Sequence, residues 1–111
     1  MWNREQAHDV RHELFGGVRA VRVWSLVAAP RAPFAAVLAC ELEPGGSVGA
    51  HVQEEFAELV IAIEGDGHVF VNGARSPLAP GAVIELPIGE TLAISNDSGE
   101  RPLRYLIIKA G

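Results

Sequence analysis

The chain has 111 residues and a formal net charge of −5. That length accommodates one hydrophobic core, so a single domain over residues 1–111 is expected. Hydrophobic residues make up 49% of the chain, too many for a disordered segment, and one lysine with no basic run excludes the clustered positive charge that nucleic acid requires.

No membrane partner is expected either, because the longest strongly apolar runs, residues 34–40 and 59–63, are far too short to span a bilayer. The chain opens MWNREQ, with no apolar leader, and Cys40 has no second cysteine to pair with. Both features point to a reducing, cytoplasmic setting.

In chain order, residues 3–14 suit one or two helical turns or an extended arm. With the stop at Gly16 and Gly17 they make an N-terminal arm over residues 1–18. Residues 19–27 are the first clear β-prone run, and a breaker at residues 29–33 separates them from a second run at 34–43. A short strand is expected at 50–53 and a long, largely apolar one at 58–64. Residues 68–71 follow, closed by Asn72 and Gly73, a pair that favours positive φ at both positions of a tight hairpin turn. Residues 82–86, 91–95 and 103–109 complete the series. Short strands at regular spacing, with Gly and Pro between them, predict an all-β sandwich or barrel.

Two glycine-punctuated stretches carry more. The first places Gly45, His51, Gln53, Glu58 and Gly65 on the pattern G-x5-H-x-H-x4-E-x6-G, with Gln53 in place of the second His. The second places Gly81, Pro87, Gly89, Leu92 and Asn96 on G-x5-P-x-G-x2-H-x3-N, with Leu92 in place of the His. On these residues the chain resembles the cupin superfamily, over roughly residues 34–109. The resemblance implies an all-β double-stranded β-helix, a jelly-roll barrel. It also implies an interior site where three His and one Glu would hold a metal, two of which are here Gln53 and Leu92.

His51 and Gln53 are two residues apart and share a strand face, which the resemblance makes the barrel interior; Glu58 enters the next strand on that face. These three are the candidate ligands for a divalent transition metal such as Fe, Mn, Ni, Zn or Cu. A metal-free site, in which they hydrogen-bond one another or an organic ligand, is the other reading. Leu92, with Ile94 and Val60, then forms the apolar wall of a small-molecule pocket around His51, Gln53 and Glu58. The expected function is binding of a small molecule in the interior, with no identifiable reaction. The alternative is a metal-dependent enzyme of dioxygenase, isomerase or cyclase type. Metal-free acid–base chemistry with His51 as base is also compatible, since imidazole ordinarily titrates near neutrality.

Other candidates have plainer explanations. His68 is expected as a solvated strand residue after the turn at residues 65–67. His8 and His12 would share a face only on a helix, and Asp9 stands where a zinc-protease motif needs Glu. Glu54 and Glu55 are turn residues, and Cys40 lies in the apolar run FAAVLAC as a structural thiol. A homodimer is expected, with Val21, Val23, Trp24 and Leu26 as its candidate surface.

Overall fold

Period-two alternation of buried and open positions runs through most strands, and it sorts the chain into two sheets that share one interior. The computed structural model describes residues 2–111. Ten strands follow one another: β1 (Asp9–His12), β2 (Ala20–Ser25), β3 (Phe34–Leu42), β4 (Ser47–Val52), β5 (Ala57–Glu64), β6 (Gly67–Val71), β7 (Ala74–Leu78), β8 (Val83–Leu86), β9 (Thr91–Asn96) and β10 (Leu103–Ala110). The first sheet has the order β1-β2-β3-β10-β5-β8 and the second β4-β9-β6-β7, with every recorded pairing antiparallel. This is the all-β jelly-roll barrel expected from the sequence.

The interior is apolar below and polar above. Val60, Val69, Leu78, Leu86 and Leu103 are fully buried between the sheets. Asn96, the last residue of the second motif, is structural. Its amide nitrogen donates to the carbonyls of Leu42, Glu43 and Arg101 at 3.2, 3.0 and 2.9 Å, and its side-chain oxygen accepts from the Ser98 amide at 3.0 Å. It ties β9 to the end of β3 and to the approach to β10. The motif glycines Gly45, Gly65, Gly81 and Gly89 all have positive φ. At Gly65 the constraint is double, because a Cβ there would also lie 2.6 Å from the Pro102 carbonyl oxygen.

Of the two alternatives expected for residues 3–14, the helical one fails and the extended one is observed: residues 9–12 are β1, paired with β2, and the helical turn is a 3-10 piece at Leu14–Gly16. The edge of β2 supplies backbone partners that an isolated short helix would lack. The polar hairpin strand β7, which carries Pro77, was not expected from the sequence. The dimer surface proposed on residues 19–29 also fails. Val21 and Val23 face the interior, and Trp24 is covered by the chain's own N-terminal segment. Trp2 packs on Trp24 with ring centroids 6.3 Å apart, and Trp24 Nε1 donates to the Asn3 carbonyl at 2.9 Å. Only Leu26 of the four remains exposed.

Candidate functional site

A register change in β4 builds the site. Val48 pairs with Ile94 and His51 with Leu92, so three steps on β4 match two on β9. Strict alternation from Val48 would turn His51 outwards. The bulge at Gly49 and Ala50 shifts the phase, and both Val48 and His51 line the interior cavity. Gln53 follows just beyond the strand and is buried; Glu58, on β5, is buried on the same interior face.

The three polar groups open into one cavity of about 360 Å³. His51 Nδ1 is 3.1 Å from the Gly49 carbonyl oxygen, which can only accept, so Nδ1 carries the proton of the neutral ring. Its Nε2 then presents a lone pair, and the Gln53 amide nitrogen donates to it at 3.2 Å. The Phe15 ring stacks on the imidazole at 4.0 Å between centroids and 15° between planes. Phe15 comes from the segment between β1 and β2 and has a left-handed backbone, φ 54°. That segment is latched to the barrel by close backbone approach: a Cβ on Gly49 would collide with the Phe15 carbonyl, and one on Gly17 with the Ser47 carbonyl.

Burial pushes the Glu58 carboxyl above its usual range, and Lys109, directly opposite on β10, partly offsets this. Burial likewise pushes the Cys40 thiol up to about 12, which leaves it protonated and unreactive at neutral pH. Tyr105 stands opposite Cys40 across β3 and β10, and burial raises its hydroxyl well above the ordinary range.

Of the expected pocket residues, His51, Gln53, Glu58, Leu92 and Ile94 line the cavity together; Val60 is fully buried and does not. Sequence reasoning missed Arg11, Phe15, Tyr105 and Lys109, which also line it. The signal for Tyr105 and Lys109 was present in β10, where alternate residues from Leu103 point inwards. Arg11 and Phe15 gave none, because their place depends on the pairing of β1. His68 points away from the cavity and pairs with Asp97 at 2.7 Å. His8 packs on Trp24 at 4.7 Å and accepts from Arg22 at 2.8 Å, outside the cavity; His12 does not line it either. Glu54 and Glu55 are exposed at its edge.

The donor set does not fit the four-ligand metal centre implied by the motifs. Nε2 of His51, the lone pair a metal would use, is met by a Gln53 N–H. Leu92, directly opposite His51, is an alkyl group that is 1% exposed and offers no donor. Among the described residues no group of three or more His, Cys, Asp and Glu is placed to hold a metal ion.

Comparison with known proteins agrees with this architecture. A predicted oxalate decarboxylase of Thermotoga maritima superposes with a TM-score of 0.86 at 26% identity, covering 93% of this chain and 90% of that one. A Cupin 2 conserved barrel domain protein of Salinispora arenicola gives a TM-score of 0.73 at 26% identity, over 93% and 82% of the two chains. A Photorhabdus luminescens protein gives 0.77 at 18% identity, over 100% and 85%. Among curated proteins none matches the chain. The family described as Cupin domain matches residues 38–109, well over half the sequence, and the chain therefore belongs to the cupin family.

Proposed function

We propose that the barrel binds a small organic molecule in its interior, without a resident metal. The observation that carries this is the His51–Gln53 hydrogen bond within a half-apolar cavity: the two residues at ligand positions satisfy each other and leave the remaining space to an organic guest. Leu92 and Ile94 supply apolar wall, and Gln53 and Glu58 supply oriented polar contacts.

A second reading is favoured by one detail. The Gly49 carbonyl fixes the His51 tautomer, so Nε2 is available as a base once a ligand displaces the Gln53 amide. Burial raises the pKa of the Glu58 carboxyl, which lines the same cavity. Together they suit proton transfer on a bound molecule, such as an isomerisation.

The test is a thermal-shift screen of small organic molecules on the parent and on His51→Ala. Compounds that raise the Tm of the parent should lose most of that effect in His51→Ala, while the variant keeps its β-sheet circular dichroism. Hits that stabilise both proteins equally would place binding elsewhere.

A further inference from the structure

We infer that Leu14–Gly16 is a gate over the interior cavity, with the Phe15 ring as its leaf and His51 as the group it covers. This goes beyond the binding reading above, because it assigns the route into the barrel.

Among the described residues, four non-glycine residues have positive φ, and three of them, Glu13, Phe15 and Arg19 at 49°, 54° and 63°, lie within residues 13–19. The fourth, Asn72, opens an Asn-Gly turn, where that conformation is ordinary. A phenylalanine in the left-handed region is unfavourable, because its Cβ crowds the following carbonyl, and it persists only where the surroundings hold it. What the conformation achieves is seen at the ring. Phe15 is 56% exposed, yet its ring lies flat on the imidazole at 4.0 Å, so it stands between His51 and solvent. Leu14, beside it, lines the same cavity and packs against the core.

The backbone bonds divide the segment into a fixed base and a self-contained tip. At the base, the Val18 amide donates to the Ser47 carbonyl at 3.2 Å and the Ser47 amide donates back at 2.9 Å. Ser47 Oγ also accepts from the Val18 amide at 3.0 Å, and the Glu13 amide donates to the Arg19 carbonyl at 2.8 Å. In the tip, the Gly16 amide donates to the Glu13 carbonyl and the Gly17 amide to the Leu14 carbonyl, both at 3.0 Å. These two bonds are internal to the segment and travel with it. Lifting the tip separates the ring stack, withdraws Leu14 and parts the Phe15 carbonyl from Gly49. Among the described residues it breaks no backbone hydrogen bond to the barrel.

The 3-10 piece has no buried residue, and segments with little buried surface and few outside bonds open locally at low free energy. Glu13 and Gly16 flank the ring as hinges. Gly16 has φ 80°, and a Cβ there would meet nothing within 4 Å, so the chain can turn at that point without a clash. Open, the tip bares the imidazole and the cavity behind it. Closed, it shields both from water.

The experiment is labelling of the histidines with diethyl pyrocarbonate at neutral pH, mapped by peptide mass spectrometry, with His68 on the outer face of the second sheet as internal control. Relative to His68, labelling of His51 should rise about fivefold or more in Phe15→Ala. Gly49→Ala keeps the ring but removes the seat of the tip, and should raise it about threefold or more. Unchanged labelling in Phe15→Ala would overturn the gate. A rise in Phe15→Ala with none in a folded Gly49→Ala would show a fixed wall and also overturn it. If Gly49→Ala does not fold, amide exchange of the parent decides. Gly16 and Gly17 should exchange at least about a hundredfold faster than Val69 and Ile94 in the paired core of the second sheet, and equal protection would contradict the gate. Neither measurement uses a guest, so failure of the gate leaves interior binding standing, and a thermal-shift screen without hits leaves the gate standing.

Discussion

A carboxyl group enclosed in a barrel sets stability against pH in an unusual direction, and Glu58 is such a group. Burial raises its folded-state pKa above that of the unfolded chain, with Lys109 only partly opposing. Between the two pKa values the folded state holds the extra proton, so stability is greatest below the unfolded value and declines as pH rises through the folded one. Glu58→Gln removes the titration. Thermal melts should show the variant more stable than the parent by a few degrees at about pH 8, with the difference vanishing near about pH 4. A gain of the same size at both pH values would mean that packing, not ionisation, is responsible. Cys40 gives the contrasting case: a thiol held near 12 by burial has no thiolate to offer, and its role is to fill space beneath the cavity.

At the scale of elements, the segment from β1 to the 3-10 turn closes one side of the cavity through two glycine contacts. Gly49→Ala would drive a methyl into the Phe15 carbonyl and lift the Phe15 ring from His51. The expected cost is on the order of 1–3 kcal/mol, with faster amide exchange confined to about residues 13–18. Gly99, where an added Cβ would meet nothing within 4 Å, is the control, and Gly99→Ala should change stability by less than about 0.5 kcal/mol. Unchanged exchange in Gly49→Ala would show that the segment is not latched there. The strands that carry their own apolar alternation and turn residues, β2, β3, β5, β9 and β10, were legible from the sequence. Those that exist through a neighbour were not: β1 is exposed throughout, and β7 carries Pro77 and an exposed arginine, Arg75. The bulge in β4 was equally hidden. His51 was placed correctly by family spacing alone, since simple alternation from Val48 would have sent it to solvent.

For the whole molecule, the motif punctuation predicted the barrel. The outer face of the large sheet was misjudged on β2, because the covering Trp2 lies far away in sequence. The apolar row that remains there crosses three strands through Leu106, Ile61 and Val83, with Val83 57% exposed. A homodimer over this row is the arrangement we propose, burying on the order of 1,000 Å² or more in total. Light scattering at micromolar concentration should give twice the 11.8 kDa chain mass, and Val83→Lys should shift it towards the monomer. A monomer mass for the parent would refute this. The central claim, that residues 51, 53, 58 and 92 surround one interior point from which a metal centre has been lost, is tested most directly by calorimetric titration of Ni²⁺ or Zn²⁺. The parent should bind weakly, and the double variant Gln53→His with Leu92→His should bind more than about tenfold tighter, because both ions prefer nitrogen donors. A folded double variant no better than the parent would show that the four positions do not converge, and a parent that already binds as tightly would show that the metal centre was never lost.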